Sequence, residues 1–390
     1  MTRWIEAAFV RGGTSKGLFF RSDALPELGD DGDASRWDAI FCSALGSPDS
    51  FGRQLDGMGG GISSLSKVMV VSASRRPGVD LDYTFAQVAV AEAVVDYSGN
   101  CGNLSSGVVP FALQSGLLTA ADGWHVFRLF NSNTGQVVDV GLTVEDGQAA
   151  VEGAFELPGV SGRAAPIELI YPDPAGSRTS DLLPTGRASE PIEVGGARFE
   201  VSMVDATLPV VIVPAAAIGL NGDESPEAID ANRPSMLLIA ELRRKAAVRM
   251  GLCQSPEEAP QVVPKVAVVT SQTPTTLLDG TKLAAKDSDL PVRMISMGQT
   301  HKAVPGTGAM CLAAAALIPD TIVNRIITRA ETPASGPEVR LGTPSGVVTA
   351  SAVWDAEQKT VTATSLFRTA RVLMRGQVAV TTWTASTTDG

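Results

Sequence analysis

Cys101 lies in SGNCGN, residues 98–103, between two Gly/Asn pairs and just ahead of an apolar stretch with helical spacing. A thiol at a helix N-terminus feels the positive end of the dipole and the free N–H groups of the first turn, and both favour the thiolate. The N–H groups of Gly102 and Asn103 can also receive a carboxylate. A second reading stands beside this one: Gly-Asn pairs build tight turns, and a cysteine fills a small hole. Lys67 closes a glycine- and hydroxyl-rich stretch, DGMGGGISSLSK (56–67), and opens a strand. Such a loop can cradle an anion. A lysine desolvated at its end is a charge clamp or, with a lowered pKa, a base. The same residues also read as a flexible loop with a solvated lysine.

Three further stretches carry chemistry of the same kind. RGGTSKG (11–17) is a glycine turn with two hydroxyls and two cations, as fit for a hairpin as for an anion. HKAVPGTGAMC (301–311) puts His301 and Lys302 ahead of a second glycine-gated helix. The N–H groups around Thr307, Gly308 and Ala309 are a second potential anion cradle. Cys311 falls about one turn inside an alanine-rich helix and reads as core. FRTARVLM (367–374) sets Arg368 and Arg371 in an apolar strand. Their forked donors suit carboxylates, and ion pairs on a surface strand would use them equally well.

Composition narrows the field. The chain has 390 residues, 44% hydrophobic and 19% charged, with a formal net charge of −11. These are globular values, and the length asks for two domains. The acidic balance speaks against nucleic acid as partner, since phosphate binding needs a basic face. Four cysteines without CxxC spacing imply neither a disulfide framework nor a zinc site, and fit a reducing cytoplasm. The N-terminus lacks a signal-peptide core, and the longest apolar run, 209–220, is too short for a bilayer and contains Pro214. Only two histidines exist, His125 and His301. No P-loop, G-x-G-x-x-G, EF-hand, G-x-S-x-G or H-E-x-x-H motif fits.

The elements that must position these residues alternate between strands and buried helices. Strands are predicted over 67–74, 83–97, about 125–160, 192–213, 263–271 and 291–298, and again along the C-terminal stretch. Helices are predicted over 101–118, with a glycine exit at Gly116 and a kink at Pro110; over 235–252, the clearest amphipathic one; and over 306–319, closed by Pro319. Each half thus runs strands, a glycine-gated apolar helix, then strands, a weak internal repeat. The Pro/Gly-rich stretch 172–187 is a candidate boundary. The expected domains are 1–185, carrying Lys67 and Cys101 and completed by a last strand at about 376–390, and 186–375.

Together these stretches resemble the PrpF family of allylic isomerases. The resemblance rests on RGGTSKG at 11–17, GSPD at 46–49, QLDGMGG at 54–60, SK at 66–67, SGNCGN at 98–103, LPTG at 183–186, PK at 264–265, SMG at 296–298, PSG at 344–346 and RTARVLM at 368–374. It spans nearly the whole chain and leans to the 2-methylaconitate cis–trans isomerase branch. The 4-oxalomesaconate tautomerase and methylitaconate isomerase branches share most of the other motifs.

The resemblance implies an α+β fold like that of diaminopimelate epimerase. Two pseudo-symmetric halves, each a β-barrel-like sheet around a central helix, would place the active site in the cleft between them. It puts the catalytic lysine on Lys67 and the family's conspicuous cysteine on Cys101. Substrate contacts fall on Ser15, Lys16, Ser66, Asn100, Gly102, Asn103, His301, Thr307, Gly308, Ala309, Ser345 and Arg371. No cofactor and no metal are expected. The expected ligand is a small unsaturated di- or tricarboxylate, with no nucleic acid and no membrane; a homodimer is admitted, not required. Racemases of that wider fold use a cysteine at each helix entry. Here Thr307 stands at the second entry, which disfavours two-thiol racemisation and leaves a Lys67/Cys101 proton transfer. A non-catalytic tricarboxylate-binding accessory protein is the competing class.

Overall fold

The computed structural model describes residues 2–327 and 338–381. The predicted completing strand at 376–390 therefore lies partly outside the described residues. The chain divides into two compact units. The first is Met1–Leu169 with the chain from Phe367 onward, and the second is Ile170–Leu366. No helix among the described residues is long and apolar enough to cross a membrane.

The first unit opens with a hairpin, β1 (Thr2–Gly12) and β2 (Ser15–Arg21). Helix α1 (Ser35–Leu45) carries the chain over to β3 (Lys67–Ala73), which lies parallel to β2. A crossover is required there, because parallel neighbours cannot be joined by a tight turn. β4 (Leu81–Val88) returns antiparallel to β3. The chain then crosses through α2 (Gly102–Ser105) and α3 (Val108–Gln114) to β5 (Gly123–Asn131), parallel to β4, and closes with β6 (Val137–Glu145), antiparallel to β5. The strand Ala370–Thr381 pairs antiparallel along β1.

The second unit repeats this order. β7 (Glu190–Val194) pairs antiparallel with β8 (Ala197–Asp205), which makes a hairpin with β9 (Pro209–Pro214). Helices α4 (Pro226–Ala231) and α5 (Arg233–Arg249) lead to β10 (Lys265–Val269), parallel to β9. β11 (Leu290–Ser296) runs antiparallel to β10. Helix α6 (Gly306–Leu317) crosses to β12 (Glu338–Thr343), parallel to β11, and β13 (Gly346–Asp355) closes antiparallel to β12. The pattern antiparallel, antiparallel, parallel, antiparallel, parallel, antiparallel is therefore built twice. The weak repeat of the sequence is a full repeat of topology.

Burial explains which helices sit inside. Every residue of α6 from Gly308 to Ala316 is buried, which an alanine-rich sequence permits because small side chains let strands approach. In the first unit Leu104, Ser105 and all of Val108–Leu113 are buried, and Phe19 meets Phe111 at 5.6 Å between ring centroids. The single helix predicted over 101–118 is two short ones. Gly107 N donates to Leu104 O at 2.8 Å, a tight turn at the joint, and Phe111 N resumes the ladder on Gly107 O. A side chain at Gly107 would strike Val10 and Phe19, so the bend seats the helix in its sheet. Pro110 sits in the first turn of α3, where its missing N–H costs nothing. The strand predicted over 83–97 ends at Val88.

Gly17 on β2 shows how closely these layers approach. A Cβ there would lie 2.4 Å from the carbonyl oxygen of Lys67 and 3.1 Å from Leu104 Cδ1. Gly17→Ala forces backbone against backbone where β2, β3 and α2 meet, and overpacking of this kind typically costs about 1–3 kcal/mol. Urea unfolding of the variant should show a lower midpoint than the wild type. An unchanged midpoint would mean that β3 moves freely away from β2.

Candidate active site

Lys67 is the first residue of β3 and lies directly across from Gln87 on β4. Its Nζ donates to Gln87 Oε1 at 2.7 Å and stands 4.9 Å over the ring centre of Phe85. The Gln87 amide has one orientation, because its Nε2 donates to Ser66 O at 2.8 Å and to Ser63 O at 3.1 Å. The lysine thus has a neutral acceptor on one side and an aromatic face on another. Among the described residues no carboxylate pairs with it. Ser66, expected as a substrate contact, is fully buried. Its hydroxyl donates to Val88 O at 2.9 Å and accepts from Gln54 Nε2 at 2.7 Å, so it anchors the start of β3 instead.

Cys101 caps α2 in an extended conformation and is 9% exposed. Ser105 N donates to Cys101 O at 2.9 Å, which closes the first helical turn and leaves the N–H groups of Gly102, Asn103 and Leu104 without a helical acceptor. The turn is held from behind by a buried tyrosine. Tyr83 OH donates to Asn100 Oδ1 at 3.2 Å and accepts from Asn131 Nδ2 at 3.1 Å, and Ser105 Oγ lies within 3.3 Å of both Tyr83 OH and Asn100 Oδ1. The Asn100 oxygen is committed to this scaffold. Asn103 is likewise engaged through its side chain: Nδ2 donates to Thr14 Oγ1 and Oδ1 accepts from Arg368 Nε, both at 3.0 Å. Its backbone N–H has no helical acceptor.

The β1–β2 hairpin presses its tip on this turn. Gly13 has φ +52, and a Cβ there would stand 2.3 Å from Asn103 Oδ1, so glycine answers both the backbone conformation and the contact. Ser15, buried on β2, shares a sheet face with Gly17, which packs on Lys67 and Leu104. Lys16 points the other way by the two-residue period of a strand. It is the register partner of Arg11 and lies 5.7 Å over the ring of Phe9. Arg371 also sits opposite Arg11, is exposed, and with Arg11, Phe155 and Thr369 lines a separate cavity of about 840 Å³. Arg368, not Arg371, is therefore the arginine that bonds to the turn carrying Cys101, through Asn103.

In the second unit, His301 is half-buried next to β11, its N–H donating to Met294 O at 2.8 Å. Burial, and then the charge of Lys265, push the imidazole below its usual pKa. Thr307 O accepts from Thr207 Oγ1 at 2.9 Å. Ala309 N is bonded to Pro305 O at 2.9 Å, so Ala309 drops out of the anion cradle and its open donors are Gly306, Thr307 and Gly308. Ser345 Oγ donates to Lys302 O at 2.6 Å, tying the loop ahead of α6 to the β12–β13 turn. No group of three or more His, Cys, Asp or Glu side chains converges among the described residues.

Gln87 and Tyr83 were not singled out from the sequence, and Lys265 entered it only as part of the PK motif. Arg368 stood in the same motif as Arg371, and only bond directions separate them. Lys265 stood in the matched PK pair, at the same strand position as Lys67 in SK.

The first unit thus carries an amine with a neutral partner and a thiol on a turn with open N–H groups. The chain belongs to the PrpF family: the family described as PrpF protein matches residues 2–381. It is 39% identical to the 2-methyl-aconitate isomerase of Cupriavidus necator over 96% of this chain and 97% of that protein. It is 36% identical to the 3-methylitaconate isomerase of Eubacterium barkeri over 96% of this chain and 97% of that one. The crystal structure of a methylitaconate-delta-isomerase superposes with a TM-score of 0.89 at 34% identity, covering 99% of both chains. The protein is an isomerase of this family, with its mixed α/β fold.

The remaining thiols separate by burial. Cys311 is fully buried, its Sγ donating to Val204 O at 3.5 Å, and its pKa is pushed up to about 12. Burial likewise lifts Cys42 to about 11. Iodoacetamide at pH 8 should leave both unmodified in the folded protein, read by peptide mass, because the thiolate is the nucleophile. Labelling of Cys311 at the rate of a free thiol would contradict the closed core of the second unit.

Proposed function

We propose that this isomerase is a cofactor-independent allylic isomerase of small unsaturated di- and tricarboxylates, most like a 2-methylaconitate cis–trans isomerase. The observation that carries the reading is Lys67: an amine held 2.7 Å from a neutral carboxamide oxygen, with no carboxylate among the described residues to pin its proton. The full-length likeness to the 2-methyl-aconitate isomerase supports the substrate class.

Lys67, as the neutral amine, takes a proton from a carbon acidified by a neighbouring alkene and carboxylate. The electron pair left behind spreads into a dienolate, whose former double bond now rotates. Lys67, as the ammonium, returns the proton to the same carbon. The N–H groups of Gly102, Asn103 and Leu104 meet the carboxylate on which charge grows, and donors placed in advance lower the barrier without reorganising. Gln87 Oε1 accepts from the lysine in both protonation states and keeps Nζ in place through the cycle. Cys101 is the second acid–base group or a substrate contact. Return of the proton to the other allylic end gives a double-bond shift, the reaction in the name of the 34% identical methylitaconate-delta-isomerase. Both outcomes share the first step. The four cysteines are free, which supports a reducing, cytoplasmic setting.

A panel of 2-methylaconitate, aconitate, methylitaconate and 4-oxalomesaconate, followed by NMR in D₂O, tests the reading. Solvent deuterium should enter one of these acids, and Lys67→Ala should slow that exchange by at least about 10²-fold, the scale of a lost general base. Binding without exchange throughout the panel would make the protein an accessory binder. Cys101→Ser decides the thiol: full turnover reduces it to a contact.

Gln87→Glu places a carboxylate beside Nζ. An opposite charge at that distance favours the ammonium by about a pKa unit or more. The lysine pKa rises, so neutral amine forms only at higher pH. The ascending limb of kcat/KM should move up in pH, with activity depressed near neutrality and recovering in alkali. An unmoved limb would take Lys67 out of the base role.

A further inference from the structure

The outer face of the first unit's hairpin carries a row of cations. Gly12 on β1 and Gly17 on β2 pack against Asn103 and Leu104 of α2. Their neighbours Arg11 and Lys16 project from the opposite face by the two-residue period of a strand. Lys16 lies directly across from Arg11, and Arg11 directly across from Arg371 on the strand Ala370–Thr381. Like charges placed opposite one another weaken a sheet. Burial, and then the charge of Arg371, push the Arg11 guanidinium below its usual pKa. Among the described residues no carboxylate pairs with Lys16, Arg11 or Arg371.

A folded-over segment turns part of this row into the lining of a cavity. Phe155–Glu156 pairs antiparallel with Arg163–Ala164, and Ala165 N donates to Val151 O at 3.0 Å. Phe155 meets Phe367 with ring centroids 6.0 Å apart, and Gly159 approaches Thr14 at the hairpin tip. The cavity measures about 840 Å³, within the range of small-molecule sites. Arg11 and Arg371 line it together with the apolar side chains of Leu157, Val160 and Leu373. Two other charged residues line it: Glu152, and Arg163, which is ion-paired to Glu156 at 2.7 Å. Lys16 lies over the Phe9 ring instead. Arg11 Nη1 donates to Gly13 O, Thr369 O and Thr369 Oγ1, while its Nε and Nη2 have no protein acceptor among the described residues. Open guanidinium donors suit phosphate as well as carboxylate oxygens. A phosphate monoester carries close to two negative charges at neutral pH, enough to answer both arginines, and a single carboxylate carries one.

We propose that this cavity binds an organic phosphate, its phosphate group between Arg11 and Arg371 and its carbon body against Leu157, Val160 and Leu373. The site lies wholly within the first unit and stands independently of the isomerase reading above. Its ligand offsets the repulsion that the bare row of cations builds into the sheet.

Phenyl phosphate is the probe, with binding followed by calorimetry on the full chain. Arg371→Gln should weaken it by about tenfold or more, the scale of a lost hydrogen bond to a charged group. The same variant should melt no lower than the wild type, because it removes a repelled charge. Arg371→Glu, which gives Arg11 an anionic neighbour, should abolish binding. Lys67→Ala should bind phenyl phosphate as the wild type does. Inorganic phosphate, which has no carbon body, should bind several-fold more weakly. A wild type that does not bind phenyl phosphate overturns the proposal, as does unchanged binding in the Arg371 variants. Loss of binding in Lys67→Ala would put the probe at the catalytic lysine and overturns it too, and equal affinity for inorganic phosphate removes the apolar wall from it. Loss of binding together with a lowered melting point would make Arg371 structural. Leu373→Asp then decides, since it keeps both arginines and sets a carboxylate on the cavity wall: weakened binding supports the site, and unaltered binding overturns it.

Discussion

The hydrogen bond from Lys67 Nζ to Gln87 Oε1 is the interaction on which the rest of the site depends. It is neutral on the acceptor side, and it has one direction because the amide's nitrogen is already bound to two carbonyls of the approaching loop. A carboxylate there would hold the lysine charged, and a bare apolar wall would leave its donors unanswered. The surrounding structure keeps that single contact in register. β3 and β4 set Lys67 against Gln87, the buried Ser66 hydroxyl anchors the strand start, and the absent side chain at Gly17 lets β2 and α2 close on the Lys67 backbone.

The same strand plan built twice accounts for much of the remaining architecture. Each unit has two parallel joins, and each join needs a crossover segment, so every unit encloses one buried helical segment and carries another. The copies have diverged at their helix entries. The first unit breaks its buried helix at Gly107 and opens it with Cys101; the second keeps an unbroken helix opened by Gly306 and Thr307. Cys311, further along that helix, is sealed among aliphatic side chains with its thiol held protonated by burial. The two lysines occupy one strand position and differ in partner, a carboxamide in one unit and a hydroxyl in the other.

Much of this was legible in the residue string, and the illegible part has a common cause. Glycine-flanked Cys101, the Lys67 strand start and the alanine-rich helix announce themselves because local geometry and burial select those residue types. Arg368 and Arg371 could not be told apart that way, nor could Ser15 be told from Lys16. Ser15 and Lys16 are neighbours on one strand, while Arg368 ends one strand and Arg371 lies in the next, and only the folded geometry decides which member reaches Asn103 or lies beside Gly17. Ser66 and Ala309 matched their motifs, yet one hydroxyl and one N–H already have protein partners.

By itself, then, the sequence determined the residue types at the two helix entries, the alternation of strands with buried helices, and the family. Those follow from local propensity, hydrophobic period and motif. Only the tertiary structure decided which polar groups remain open. Gln87 lies twenty residues from Lys67 in the chain, and Arg368 lies 265 from Asn103. Whether a lysine meets an amide or a carboxylate is a property of strand register. Register is a long-range choice made by packing a whole sheet, and it leaves no mark on the residues nearby.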